Sequence, residues 1–67
     1  MEAEVKLKKY VEEHGISQAF ICDKTGIDKS TMSKILAGKR KLTANELILI
    51  AKALEVSSIF FTEEVNS

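Results

Sequence analysis

The 67-residue chain contains no proline, only three glycines and a single cysteine, and its apolar runs are short. Each shortage excludes something. One cysteine cannot close an internal disulfide, which fits a reducing, cytoplasmic setting. No stretch approaches the roughly 18 apolar residues of a membrane span, and the opening MEAEVKLKKY is no signal peptide. The lone His14 has neither a second histidine nor a nearby cysteine with which to hold a metal, so a surface role at a helix end is expected and no cofactor. No nucleophile, base and orienting group converge in the sequence, so no enzyme is expected. Absence of proline beside a 45% hydrophobic content suits a packed helical chain rather than a disordered one. The length allows one small domain, residues 1–67, that buries about three-fifths of its unfolded surface.

Net charge is zero, which by itself argues against a strongly basic nucleic-acid binder. The distribution reverses that impression. Residues 24–41 hold six basic side chains (Lys24, Lys29, Lys34, Lys39, Arg40, Lys41) against Asp28 alone, a balance of +5. The flanks carry −2 (residues 1–23) and −3 (residues 42–67), so positive charge is concentrated in one segment.

That segment overlaps the stretch QAFICDKTGIDKSTMSKI, residues 18–35. Ile21 and Cys22 share one face of a short helix, and Gly26 follows where a left-handed backbone is needed. Asp28 is a good cap for the next helix, in which Met32 and Ile35 turn inward three residues apart. Cys22 is expected to pack as a small side chain where two helices approach closely. Two short helices joined by a glycine turn, over residues 18–36, form a helix-turn-helix.

The spacing of Gln18, Cys22, Gly26, Met32 and Ile35 resembles the phage repressor and Cro family, the Xre type. The resemblance extends over roughly residues 5–62 and implies an all-α, five-helix, lambda-repressor-like DNA-binding domain. Two positions depart from the family's pattern. Phe20 stands where an acid usually completes a capping box, and Glu55 stands where a glycine often ends the fourth helix.

Around the motif, Ala3, Leu7, Tyr10 and His14, with Val11 beside them, predict a first helix over residues 2–14 that stops at Gly15. Ser17 is a good cap for the second helix. The third runs from about Lys29 to Leu36. Thr43-Ala44-Asn45-Glu46 is a capping box that opens a fourth helix, whose inward stripe is Leu47, Ile50, Ala51 and Leu54. Ile48 and Leu49 are more than one buried face requires. A short fifth helix is predicted from Ile59 to about Glu64, with Val65, Asn66 and Ser67 frayed.

At ~100° per residue, Lys29, Ser30, Ser33 and Lys34 share the outer face of the third helix. Lys29, Ser30 and Lys34 match the family's base-reading positions, and Ser33 can serve bases or phosphates alike. Lysine can donate to guanine O6 and N7, and serine to several bases. The resemblance assigns Gln18 a phosphate contact; Ser17 beside it, and Thr31 through its hydroxyl, join that set. Lys39, Arg40 and Lys41 are read as phosphate clamps, which position without specifying.

These readings lead to a sequence-specific DNA-binding regulator of repressor type, either standing alone or as the N-terminal domain of a longer repressor. The family binds palindromic operators as two-fold pairs. With no second domain in these residues, a weak homodimer formed mainly on DNA is expected through Ile59, Phe60 and Phe61, at least one of which should stay outside the core. The rival is a protein-interaction module of antitoxin or anti-repressor type, which an exposed Phe20 would favour and the basic face opposes.

Overall fold

Glu4, Leu7 and Val11 form a stripe down the first helix, α1 (Ala3–His14), and all three side chains are buried. The computed structural model describes residues 3–57 and 59–62, and every regular element among them is a helix. After α1 come α2 (Gln18–Thr25), α3 (Lys29–Leu36), α4 (Ala44–Leu54) and α5 (Ile59–Thr62). The expected all-α, five-helix architecture is therefore what the chain adopts. Residues 2 and 63–67, on which the predicted start of α1, end of α5 and frayed tail fall, lie outside the described residues.

Leu7 and Val11 meet Ile21 from α2, Met32 and Ile35 from α3, and Leu47, Ile50 and Ala51 from α4; Phe61 of α5 completes the core. α2 packs on both α3 and α4, while α1 packs on α3 and α5. Cys22 is half-buried against this core rather than fully enclosed. His14, expected at the surface of a helix end, is exposed there, its ring stacked on Tyr10 at 4.0 Å. The helix ends one turn past Val11, so its last residue reaches beyond the core.

Side-chain oxygens fix three helix starts. Ser17 Oγ accepts from Phe20 N, Asp28 Oδ2 from Thr31 N and Thr43 Oγ1 from Glu46 N, while Glu46 answers Thr43 N to close the capping box. Three helix ends share one geometry: an amide reaches back five residues and a left-handed residue precedes it. The pairs are Ile16 N to Val11 O, Lys39 N to Lys34 O and Val56 N to Ala51 O. Gly15 and Gly38 supply the left-handed residue in the first two cases, and Glu55 (φ +60°) in the third. The departure noted at Glu55 thus leaves the backbone where a glycine would sit, with a Cβ in the left-handed region that disfavours one.

Candidate nucleic-acid interface

Met32 and Ile35 hold the inner face of α3, which leaves Lys29, Ser30, Ser33 and Lys34 exposed on the outer one. Lys29, Ser30 and Lys34 form no side-chain hydrogen bond or ion pair among the described residues. Ser33 uses its oxygen to accept from Gln18, so its own hydroxyl proton stays available. The four expected base-reading side chains therefore share one solvent-facing surface of a short helix.

Several expected phosphate contacts are already engaged within the protein. Gln18 Nε2 donates to the Lys29 carbonyl oxygen (3.2 Å) and to Ser33 Oγ (3.1 Å). A carbonyl only accepts, so the amide must present its NH2 group there, and both of its donors point into α3. Gln18 thereby ties the start of α2 to the face of α3. Thr31 Oγ1 donates to Asp28 Oδ1 at 2.8 Å, which uses its hydroxyl proton at the start of α3. Those contacts with Thr31, backbone first and hydroxyl second, hold the Asp28 carboxyl below its ordinary range. Ser17, by contrast, only accepts in its cap and keeps a free proton on an exposed side chain.

The basic loop between α3 and α4 is held from two sides. Arg40 Nη1 and Nη2 meet Glu46 Oε1 and Oε2 at 2.8 and 2.9 Å, a two-pronged fork, with Nη1 also donating to Lys41 O. That fork comes first among the causes that lower the Glu46 carboxyl and raise the Arg40 guanidinium, and the Thr43 amide adds to the lowering. From the other side, Leu42 N donates to Glu4 Oε2 on α1. Glu4 is only 7% exposed. Lys39 and Lys41 remain exposed without a side-chain partner among the described residues. The sequence reading missed Glu4, although it lies three and seven residues before Leu7 and Val11, on the same helical stripe.

On the C-terminal helix the three α5 candidates separate. Phe61 is fully buried and belongs to the core, which removes it as an exposed contact, whereas Ile59 and Phe60 are 61% and 50% exposed. One short helix cannot turn adjacent residues to the same side. Phe60 lies edge-on to both Tyr10 and Phe61, with ring centroids 5.5 and 5.0 Å away. Phe20 is exposed, Lys24 Nζ stands 5.7 Å from its ring centre, and both line a shallow groove with Leu49, Lys52 and Ala53. Ile48 is exposed as well.

A glycine-turned helix pair whose second helix offers free cationic and hydroxyl groups defines a helix-turn-helix protein. The chain matches the helix-turn-helix family over residues 7–61 and belongs to it, as the Xre and Cro-like pattern of the motif indicates. This is a family of DNA-binding regulators rather than of enzymes. No curated protein and no solved structure matches the chain. Among the described residues no helix is long and apolar enough to cross a membrane.

Proposed function

We propose that the chain is a cytoplasmic, sequence-specific repressor that lays α3 in the major groove of duplex DNA and occludes a promoter. Lys29, Ser30, Ser33 and Lys34 meet base edges, with Lys34 the main discriminator. Lys39, Lys41 and the hydroxyl of Ser17 meet phosphates, while Gln18, Thr31 and Arg40 hold the elements that carry those contacts. The observation that carries this reading is the division of labour at the motif. Gln18, Asp28 and Thr31 around α3 are paired within the protein, whereas Lys29, Ser30 and Lys34 on its outer face are not, and Ser33 there keeps its hydroxyl proton. Two copies occupy a palindromic operator, brought together mainly on DNA through Ile59 and Phe60.

The test is selection of bound sequences from a random duplex library, followed by titration of the winner and a scrambled duplex at two salt concentrations. The reading requires an enriched palindrome and an affinity that falls steeply with salt. Equal affinity for both duplexes would remove sequence specificity. No binding to either would favour the second reading, a protein-interaction module, for which the exposed Phe20 and its groove are the supporting observation.

A further inference from the structure

A loop that touches phosphates works best when its cations are held at fixed positions, because ordering it on contact costs conformational entropy. Residues 39–43 contain no regular structure, yet three of their five backbone amides are already taken. Lys39 N reaches back to Lys34 O, Leu42 N is held by Glu4 and Thr43 N by Glu46. Arg40, between the two exposed lysines, is clamped by the same Glu46. Glu4 lies 38 residues before Leu42 in the chain and is buried, so its bond ties α1 to the loop.

We propose that Glu4 and Glu46 are positioning residues for the phosphate contacts of Lys39 and Lys41, so that two acidic side chains are needed to bind a polyanion. The inference rests on the DNA-binding reading above and goes beyond it. It also moves Arg40 from the set that touches phosphate to the set that holds the loop. The guanidinium fork needs two acceptor oxygens in one plane, which neither a glutamine at 46 nor a lysine at 40 can reproduce. Simple electrostatics makes the opposite forecast. Removing a carboxylate near the basic loop raises the local positive charge, and for Glu46 also frees the Arg40 cation; both should tighten binding to DNA.

The experiment compares wild type with Glu46→Gln, Glu4→Gln and Arg40→Lys on a library-selected duplex and on a scrambled one. Glutamine can still complete the capping box, so the start of α4 survives Glu46→Gln. The expected result is weaker binding, by about threefold or more, for all three variants on both duplexes, with a shallower salt dependence for the two glutamine variants. Each lost phosphate contact lowers that slope by up to ~0.9. A double-mutant cycle then separates positioning from general destabilisation. In a Lys39→Ala/Lys41→Ala background, Glu46→Gln should have no further effect, since the side chains it positions are gone. A loss that persists undiminished there shows a merely structural role and overturns the inference. So does binding by Glu46→Gln as tight as, or tighter than, wild type. If Glu4→Gln fails to fold, Glu46→Gln and Arg40→Lys decide alone. Failure of wild type to bind either duplex sinks the DNA reading itself, and this inference with it. Wild-type binding that Glu46→Gln leaves intact sinks only the inference.

Discussion

The motif edge and the C-terminal end of the molecule are built on different principles. At the motif edge, α2, α3 and α4 each begin on a side-chain cap, and Gln18, Arg40 and Glu4 add cross-links between elements. At the C-terminal end, α4 stops on a left-handed glutamate, and α5 is a four-residue helix fixed to the core by Phe61. It starts on Ser57, whose Oγ accepts from Ile59 N at 3.3 Å. Directional polar bonds set the first region to a particular geometry, which the proposed fit to base edges would require. Apolar burial secures the second region without specifying it closely and leaves Ile59 and Phe60 outside. On the proposed reading, the face that meets DNA is cross-linked by polar bonds, while the apolar pair Ile59 and Phe60 lies on a separate helix.

The largest expected effect sharpens this contrast inside α5. Phe61→Ala should cost about 3–5 kcal/mol of stability in urea denaturation, because it empties the core beneath α1. Phe60→Ser, one residue away, should change stability by well under half of that while weakening cooperative binding to paired half-sites. Similar costs for both would mean that the two rings share the core.

A smaller pair of effects should carry opposite signs at the two ends of α4. Thr43→Ala removes the capping-box acceptor and should cost about 1 kcal/mol. Glu55→Gly relieves the left-handed Cβ and should gain roughly 0.5–1 kcal/mol, since that strain exceeds the extra chain entropy lost by glycine. Thermal melts of both variants check the signs. A destabilised Glu55→Gly would show that the side chain holds the end of α4.

Acid should weaken the motif edge. The folded-state pKa of Glu46 is lowered by the Arg40 fork, so its contribution is fully present above the unfolded value of about 4.3. It is lost as pH falls through the lowered folded value. Asp28, lowered by Thr31, behaves in the same way. Stability measured down to pH 2 should therefore fall on the acid side, and Glu46→Gln should flatten that fall. An unchanged acid limb in the variant would contradict the role given to the fork.

What was legible in the sequence followed from local rules. The bounds of α3 came from Asp28 and the Met32–Ile35 pair, and those of α4 from its capping box, because a cap and a 3.6-residue period depend only on neighbours. The choice among the α5 residues was half legible. Periodicity required that Phe60 and Phe61 part, but which one turned inward depended on where α1 placed Tyr10 and Leu7. Illegible were the pairings across elements. Gln18 reaches Ser33, fifteen residues on, and Glu4 reaches Leu42. No spacing rule encodes a bond that exists only after helices pack. Hence Gln18, Thr31 and Arg40 read as free donors in the sequence and turn out to be engaged in the fold.

The central claim is that the exposed face of α3 reads base sequence, and Lys34 tests it most directly. Affinities of wild type and Lys34→Ala are measured for the library-selected duplex, its single-base variants and a scrambled duplex at fixed salt. The account predicts a loss of about 1–3 kcal/mol on the selected duplex, a much smaller loss on the scrambled one, and relaxed preference at one or two positions of each half-site. An equal loss on every sequence would make Lys34 a phosphate contact and contradict the claim.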